Sequence, residues 1–469
     1  MHKIEKGLDL PIPGKPIQVV RGTSPCSRVA VMADDFPGMK ARMHVQEGDV
    51  VKRGQVLFED RKMPGVRHTA PGAGRVIGIH RGERRALQSV VIDLSDGERA
   101  GEPGPDEFVH FENRPGAAPE GLTGEQVRAL LVESGLWTAI RERPFSKVPS
   151  PDGRADAFFI TATDTHPHAP LPEVVLEKQM EDFVLGTKLL AKLVDGPTYL
   201  CVAEHSEIGD RAPEGVRVER FAGPHPSGTV GLHIHLLRPV NRERRVWHIG
   251  YQDVASVGRL FATGRLDVSR IIAISGPDVE DPRLERTRVG ARVSEIVGAD
   301  IARIVESSLK ATGRKKEIRA ISGSVLSGKR TFGEAFDYMG RYDRQISLLE
   351  EDHENVFMGW LSPGPDLFSV TRIYLSSIFK PKRYRFTTST NGSPRAMVPI
   401  GVYEKVMPMD IMATYLLRSL VVGDTERAEQ LGVLELDEED VSLCTFVCPG
   451  KTEYGPILRK NLEMIEKEG

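Results

Sequence analysis

The chain has 469 residues, of which 40% are hydrophobic and 28% are charged, and its formal net charge is −3. This length gives room for about three or four domains with separate cores, and the composition is that of a globular protein. The near-neutral charge and the shortness of the Lys/Arg runs exclude a nucleic-acid-binding protein. Four cysteines without regular spacing predict a reducing compartment. The first residues lack the apolar region of a signal peptide and no run reaches about 18 apolar residues, so we expect a cytosolic chain without a membrane-spanning helix.

Short β-rich runs separated by Gly, Pro and Asp fill residues 29–94 and predict a small β-barrel or sandwich. The stretch His44–Ile79 resembles biotinyl and lipoyl carrier domains, in which the modified lysine lies in a Met-Lys-Met hairpin. Its counterpart here is Arg61-Lys62-Met63, followed at once by Pro64-Gly65. Because proline fixes φ and removes a donor, this hairpin must differ from the one that a ligase recognises. We predict a barrel-sandwich scaffold, with a carrier modified on Lys62 as the alternative.

One loop in this first region, Met32-Ala-Asp-Asp-Phe-Pro-Gly-Met39, places two carboxylates between apolar side chains. A quinone site needs an apolar slot with a few polar groups for the carbonyls. The candidate quinone-binding residues are therefore Met32, Asp34, Asp35, Phe36 and Met39. The alternative is an ordinary turn between two strands, capped by Asp34.

After a Gly/Pro/Glu-rich linker at residues 96–120, strands alternate with helices. Apolar runs at 157–161, 198–203 and 216–221 predict strands, and residues 173–193 carry a helical period. This alternation predicts an α/β domain with a parallel sheet. It contains neither GxGxxG after a strand nor a complete phosphate loop, so the sequence offers no dinucleotide or flavin fingerprint.

The densest polar cluster is Gly223-Pro-His225-Pro-Ser-Gly228, followed by His233-Ile-His235. On a strand, His233 and His235 would share a face and, with His225, offer three imidazoles to zinc. No nearby carboxylate or thiolate completes the set, so we predict no metal site. Two interpretations stay open: hydrogen-bonded loop histidines, and a contact with a partner protein or ligand.

Near the C-terminus lies Cys444-Thr-Phe-Val-Cys448-Pro449-Gly450. Ferredoxin-like cubane sites need four thiolates, typically CxxCxxC with a further Cys followed by Pro. The other cysteines, Cys26 and Cys201, are distant in sequence. We therefore predict two ordinary thiols in a helical domain, and the motif indicates descent from a redox-complex component that lost its metal.

Motifs along the whole chain resemble the NqrA family, which is the A subunit of the Na+-translocating NADH:quinone oxidoreductase. They are Gly7-Leu-Asp-Leu-Pro-Ile-Pro-Gly-Lys-Pro16, Phe58-Glu-Asp60, Pro64-Gly65, Thr69-Ala-Pro71, Asp195-Gly196, Gly223-Pro-His-Pro226, His233-Ile-His235, Tyr251-Gln-Asp-Val254, Ser322-Gly-Ser-Val-Leu-Ser-Gly328 and Cys444-Thr-Phe-Val-Cys-Pro-Gly-Lys-Thr-Glu-Tyr-Gly-Pro456. With the residue patterns, the resemblance implies an α/β and α+β multidomain fold. Its expected parts are a biotinyl/lipoyl-like barrel-sandwich domain at 1–100, a Rossmann-like α/β domain at 101–255, a ubiquitin-like, soluble-ligand-binding β-grasp module at 256–330, and a helical domain with the degenerate cluster motif at 331–469.

The resemblance also implies a function, that of a peripheral subunit on the cytoplasmic side of the bacterial inner membrane. Its respiratory complex passes electrons from NADH to ubiquinone and exports Na+. It implies five partner subunits, which carry FAD, FMN, riboflavin and an iron–sulfur centre and provide the membrane association. It implies no tightly bound redox cofactor and no catalytic residue in this chain, with ubiquinone as the candidate bound substrate. The alternatives are the Lys62 carrier and an electron-transfer subunit like the C subunit of the related ferredoxin:NAD complex.

Overall fold

The computed structural model describes residues 1–114, 119–353, 363–371, 373–379 and 382–468. Within these ranges the first strands are β1 (His2–Lys3), β2 (Val20–Thr23), β3 (Arg28–Met32), β4 (Ala41–Met43), β5 (Val50–Val51), β6 (Val56–Asp60), β7 (Arg67–Thr69), β8 (Gly74–Arg81), β9 (Leu87–Leu94) and β10 (Arg141–Arg143). The strands that follow are β11 (Ala157–Ala162), β12 (Thr198–Ala203), β13 (Val216–Ala222), β14 (Val246–Gly250), β15 (Ser269–Ser275), β16 (Arg283–Arg288), β17 (Ile318–Ser322), β18 (Lys329–Arg330) and β19 (Gln345–Glu350).

The helices are divided between the middle and the end of the chain. Those of the first part are α1 (Asp96–Ala100), α2 (Gly124–Ser134), α3 (Pro172–Leu176), α4 (Met180–Leu190), α5 (Val230–Leu237), α6 (Tyr251–Thr263) and α7 (Val293–Thr312). Those of the second part are α8 (Ser376–Phe379), α9 (Tyr403–Val406), α10 (Ala413–Val422), α11 (Thr425–Gln430), α12 (Ser442–Val447) and α13 (Tyr454–Glu468). No helix among the described residues combines the length and the apolar character that crossing a membrane requires.

The N-terminal domain is a barrel-sandwich, as predicted. One sheet has the order β3-β9-β8-β5 and the other has the order β4-β6-β7. Side chains of β8 alternate between buried and exposed from Gly74 to Gly78, because successive residues of a strand point to opposite faces. The shared core contains Val29, Leu57, Phe58 and Ile92. Helix α1 occupies the start of the predicted linker, and residues 115–118 of that linker lie outside the described residues.

The second domain is the predicted Rossmann-like α/β layer, with strand order β1-β13-β12-β11-β14-β10. The pairs from β1 to β14 are parallel, and β10 runs antiparallel to β14. Every residue of β11 is buried, as expected for a parallel strand covered on both faces. Helices α4 and α6 cross closely at Gly186 and Gly258, where an added Cβ would collide with a backbone carbonyl of the other helix. Strand β12, the next strand after β11 in the chain, pairs with one edge of β11, and β14 pairs with the other edge. A crevice therefore forms at the carboxyl ends of β11 and β14.

The third domain is the expected β-grasp module, in which α7 packs on a sheet of order β18-β17-β19-β15-β16-β2. Strand β19 is an interior strand of this sheet, between β17 and β15, so the sheet includes residues that follow position 330 in the chain. The N-terminal segment ties domains together before it enters the barrel-sandwich. Strand β1 pairs with β13 of the α/β layer, and β2 pairs with β16 of the β-grasp sheet.

The C-terminal domain is helical, as predicted, and its buried core includes Tyr403, Leu416, Tyr454 and Leu458. Its last helix, α13, begins at Tyr454.

Candidate functional site

A cleft of about 740 Å³ opens at the carboxyl ends of β11 and β14. Ligands of open α/β sheets bind at this point, where the strand order reverses. The opposite walls come from residues 323–329 and 342–345 of the β-grasp domain and from residues 437–439 of the helical domain. Asp34 and Asp35 of the barrel-sandwich domain also line it, so four domains meet around this space, which we call the central cleft.

A nearly buried chain of charges crosses the central cleft. Asp164, which follows β11, lies 2.8 Å from Nδ1 of His166, and its other carboxylate oxygen lies 3.2 Å from Arg344 Nη2. Nε2 of His166 lies 3.0 Å from Glu439 of the helical domain. Burial opposes the charged form of His166, but Asp164 and Glu439 outweigh it and raise the pKa of His166 to about 10. His166 is thus an imidazolium that links the α/β layer to the helical domain.

A second buried link between the same two domains starts at Arg143, the last residue of β10. Its side chain is 0% exposed, and Nη1 donates to Asp440 at 3.1 Å and to the carbonyl oxygen of Glu435 at 3.0 Å. Asp437 lies 3.5 Å from Nη2 of the same guanidinium. Burial alone would raise the pKa of Asp437, but Arg143 and its neighbours hold that pKa well below its ordinary value. The interface therefore contains permanent charges.

The predicted quinone loop lies at a junction of the barrel-sandwich and β-grasp domains. Asp34 and Asp35 face the central cleft, 3.0 and 3.4 Å from Nζ of Lys329. Asp35 also accepts a hydrogen bond from the backbone N of Arg341 at 2.8 Å. Residues Ala33–Asp35 form a 3-10 turn without a side-chain cap, so Asp34 pairs with a lysine instead of capping. The structure thus brings these two carboxylates to the central cleft.

The apolar residues of the loop point elsewhere. Met32 is buried in a small cluster with Ala30 and Tyr338. Phe36 packs edge-on against His68, with ring centroids 4.3 Å apart. Phe36 and Met39 line a separate cavity of about 320 Å³. The five candidate residues therefore do not surround one space.

We call this second cavity the hairpin pocket, because the β6–β7 hairpin forms one wall. Its apolar lining is Phe36, Met39, Met63, Val66 and Val148, and its polar lining includes Lys62, Lys147 and Glu466. Lys147 pairs with Glu466 of α13 across the pocket. Gly38 has a φ of 75°, and a Cβ there would lie 2.9 Å from Nζ of Lys147. Lys62 is exposed at the hairpin turn, but it lines a cavity that α13 closes from the other side.

The residues His233-Ile-His235 lie in helix α5, so the arrangement considered for a strand, with both rings on one face, does not occur. Residues two positions apart on a helix are separated by about 200° around its axis, so the rings of His233 and His235 project from opposite sides of α5. His233 is buried and its Nε2 donates to the carbonyl oxygen of Ser227 at 2.9 Å. His235 contacts Glu435 through Nδ1 at 2.8 Å. His225 lies 3.1 Å from the Thr165 hydroxyl, and burial lowers its pKa to about 3. These are structural hydrogen bonds, and in the described part of the chain no group of three or more His, Cys, Asp or Glu is arranged to hold a metal.

Cys444 and Cys448 lie in the helical core. The Sγ of Cys448 lies 3.1 Å from the Tyr403 hydroxyl, which contacts the Tyr454 hydroxyl at 2.9 Å. Burial raises the pKa of Cys444 to about 12. Cys26 packs between the barrel-sandwich and β-grasp cores, and Cys201 belongs to the α/β core. The four thiols are therefore distributed among separate cores.

Four residues that cross the central cleft were not predicted from the sequence: Asp164, His166, Arg344 and Glu439. One signal was available for the first two, since they directly follow a fully buried strand whose carboxyl end faces a crevice. Arg344 and Glu439 come from other domains, and no local spacing points to them.

Comparison with known families agrees with this architecture. A model described as the NqrA N-terminal barrel-sandwich hybrid domain matches residues 2–95, one described as the NqrA second alpha/beta domain matches residues 122–266, and one described as the NQRA C-terminal domain matches residues 271–332. The fold and these three family matches together place the chain in a class of multidomain proteins. In this class a barrel-sandwich, an α/β layer and a β-grasp module share one chain.

Full-length relatives narrow this class. The A subunits of the Na(+)-translocating NADH-quinone reductases from Neisseria meningitidis serogroup A, Pasteurella multocida and Serratia proteamaculans are 49%, 48% and 49% identical to this chain, with 100% of each chain covered. The chain belongs to the NqrA family, the A subunit of the Na+-translocating NADH-quinone reductase. Among solved structures, an NAD+-reducing [NiFe]-hydrogenase in the H2-reduced state aligns over 53% of this chain and 51% of its own, with 14% identity and a TM-score of 0.35.

Proposed function

We propose that this chain is the peripheral, cytoplasmic subunit of a Na+-pumping NADH:ubiquinone reductase in the bacterial inner membrane. The observation that supports this role is the identity of 49% to an NqrA protein over the whole of both chains. In this proposal the chain assembles with five other subunits and supports the reduction of ubiquinone to ubiquinol coupled to Na+ export. FAD, FMN, riboflavin and the iron–sulfur centre belong to those partners, and this chain contributes no catalytic residue and no tightly bound redox cofactor.

The arrangement of the thiols supports a role without electron carriers of its own. A cubane cluster needs four thiolates around one space, whereas Cys26, Cys201 and the pair Cys444 and Cys448 lie in separate cores. The buried ion pairs of Arg143 and His166 instead join domains to one another. A rigid framework that holds domains in a fixed arrangement is the function that these contacts serve.

Quinone contact is the finer part of the proposal, and the hairpin pocket is the place for it. Its volume of about 320 Å³ is within the range of small-molecule pockets. Phe36, Met39 and Met63 offer apolar walls for a quinone ring, and the ammonium groups of Lys62 and Lys147 are donors for its carbonyl oxygens. In this arrangement Met32 anchors the loop in a core, while Asp34 and Asp35 fix it to Lys329.

The role in the complex is tested by deleting the gene for this chain in its own bacterium and assaying membranes for Na+-stimulated NADH:ubiquinone reductase activity. We expect the activity to disappear and to return with a tagged copy, which should purify together with five partner subunits. Full activity in membranes without the chain would refute the role. The purified chain alone should show no flavin absorbance and an intact mass without biotin or lipoate on Lys62.

The quinone contact is tested with a photoreactive ubiquinone on the assembled complex. We expect labelled peptides from residues 32–39 and 61–66, protected by excess unlabelled ubiquinone. Met39→Gln places a polar amide in the apolar wall and should reduce this labelling, whereas Met412→Gln, at a methionine that is 57% exposed, should not. Labelling confined to the partner subunits would rule the pocket out.

A further inference from the structure

A small cavity of about 60 Å³ lies beside the central cleft, between the α/β layer and the loop that precedes β19. Its lining is rich in cations. It contains four guanidinium groups and two carboxylates. The guanidinium groups are those of Arg141, Arg270, Arg341 and Arg344, and the carboxylates are those of Asp253 and Asp343. Two carboxylates outside the lining also lie close, since Asp164 pairs with Arg344 and Asp437 lies 3.7 Å from Arg141. We call this cavity the arginine pocket.

Helix α6 begins at this pocket. Strand β14 ends at Gly250, which is the N-cap of α6 and provides no side-chain cap. Gly250, Gln252 and Asp253 all line the cavity. The first N–H groups of a helix have no partner within it, and the helix dipole favours an anion at that end. The pocket therefore lies at a helix terminus suited to a negative charge.

Two side chains in the pocket have unused hydrogen-bonding atoms. His248 is only 4% exposed, and its Nε2 has no partner among the described residues. Nη1 of Arg344 is also buried and without a partner there, while Nη2 of this residue pairs with Asp164. Buried polar atoms are normally hydrogen-bonded, so these atoms indicate a group that binds between them.

Arg141 has donors to spare as well. Its guanidinium stacks on the ring of Tyr342 at 4.5 Å, and its ion-pair partner Asp437 lies at 3.7 Å, beyond hydrogen-bond distance. The single carboxylate of Asp253 forms ion pairs with both Arg270 and Arg341. The carboxylates therefore leave a part of the guanidinium surface unpaired.

We propose that the arginine pocket binds a phosphoryl group, either as free phosphate or at the end of a nucleoside phosphate. Guanidinium groups bind phosphate oxygens through paired N–H donors, and the N-terminus of α6 favours an anion. The volume of about 60 Å³ holds about four water-sized groups, which suits the four oxygens of a phosphate. Arg141, His248 and Arg344 also line the central cleft, so the remainder of a larger ligand has room there.

Such a ligand would connect two domains. Arg141 and His248 belong to the α/β layer, and Arg341 and Arg344 belong to the segment that leads into β19. A group held by both sides stabilises their contact, because binding to the folded state alone raises stability by mass action. Phosphoryl binding at this pocket requires neither the proposed quinone contact nor assembly with partners.

The direct test is calorimetric titration of the purified full-length chain with inorganic phosphate and with ADP, at ionic strength held constant with chloride. We expect one saturable phosphate site with a Kd at or below about 1 mM. Arg141→Gln should weaken binding at least about tenfold, whereas Arg245→Gln, at a side chain that is 57% exposed, should not change it. ADP binding more tightly than phosphate assigns the site to nucleoside phosphates, and equal or weaker binding assigns it to free phosphate. Absence of saturable binding by either ligand, or equal binding by Arg141→Gln, would overturn the proposal.

A second measurement on the unaltered chain covers the case in which the variant does not fold. Phenylglyoxal modifies accessible arginines, and peptide mass analysis reports each position separately. Phosphate should slow the modification of Arg141 and Arg344 and leave that of Arg245 unchanged. Equal rates at all three positions with and without phosphate would show that the pocket does not bind it.

Discussion

The central cleft and the cysteine-bearing core of the helical domain lie next to each other, and α12 and α13 contribute to both. Different kinds of contact stabilise these two regions. The cleft is crossed by ion pairs among residues such as Asp164, His166 and Glu439, whereas Cys444 and Cys448 lie among apolar side chains and two tyrosines. The segment with a recognisable sequence motif thus contributes packing, and the charged groups converge where the sequence has no motif. If this comparison is right, substitutions in the two regions should differ in size and in pH dependence.

The largest effect is expected for Arg143→Leu. Removing Arg143 leaves Asp440 buried without its cation, which costs about 3–5 kcal/mol, whereas Asp437 keeps Arg459 at 2.7 Å. Urea unfolding followed by far-UV circular dichroism measures this loss. Arg245→Leu, at an exposed arginine that directly precedes β14, should change stability by less than about 0.5 kcal/mol. A loss at Arg143 no larger than that of the control would mean that the cleft pairs do not hold the domains together.

The next effect depends on pH and concerns His166. Burial opposes its charge, but Asp164 and Glu439 raise its pKa to about 10, above the value of about 6.5 in an unfolded chain. A raised folded-state pKa contributes stability that is fully present below about pH 6.5 and is lost as the pH rises through 10. The difference in the free energy of unfolding between the unaltered chain and His166→Gln should therefore be largest near pH 6 and shrink toward pH 10.

The matched control is His205→Gln, because this side chain is 92% exposed. Its free energy of unfolding should follow that of the unaltered chain at every pH. A constant difference for His166→Gln from pH 6 to pH 10 would show that His166 is not charged in the folded protein. His225, whose ring centroid is 4.7 Å from that of His166, should stay neutral, since burial lowers its pKa to about 3.

In the cysteine core a smaller, pH-independent effect is expected from Tyr403→Phe. The substitution removes the hydroxyl that contacts Cys448 and Tyr454, and a hydrogen bond of this kind contributes about 1 kcal/mol. Thermal or urea unfolding between pH 6 and pH 8 measures it. Tyr415→Phe, at a residue that is 59% exposed, serves as the control and should be neutral. A loss at Tyr403 as large as that at Arg143 would remove the contrast between the two regions.

The smallest effect is expected for Lys329→Gln, which breaks the contacts with Asp34 and Asp35 at the edge of the cleft. The lysine side chain is 53% exposed, so its ion pairs are screened by solvent and contribute at most about 1 kcal/mol. Denaturant unfolding at low and high salt tests this, since the loss should be smaller at high salt. A salt-independent loss would indicate that Lys329 acts through packing.

Local patterning was enough to predict most of the fold. The apolar run at residues 198–203 is strand β12, and the β-rich runs within residues 29–94 contain β4 to β9, because a strand's period appears in adjacent residues. At His233-Ile-His235 polar and apolar residues alternate as they would on a strand, yet these residues lie in α5. There the packing of Val230 and Ile234 against the α/β sheet favours a helix. Tertiary burial thus overrode a short local pattern.

The site was much less predictable than the fold. Asp34 and Asp35 were selected as a pair, yet their partner Lys329 comes from the β-grasp domain. Glu439 and Arg344 reach the cleft from two further segments, and nothing in their sequence neighbourhood marks them. Convergence of this kind depends on how the domains dock, which no spacing within one segment records.

We propose that this chain is a framework whose cysteines carry no electrons. The most direct test of this proposal is Na+-stimulated NADH:ubiquinone reductase activity of the assembled complex containing the Cys444→Ala/Cys448→Ala double variant. We predict assembly with all partners and activity equal to that of the complex with the unaltered chain. A complex that assembles fully but no longer reduces quinone would contradict the claim.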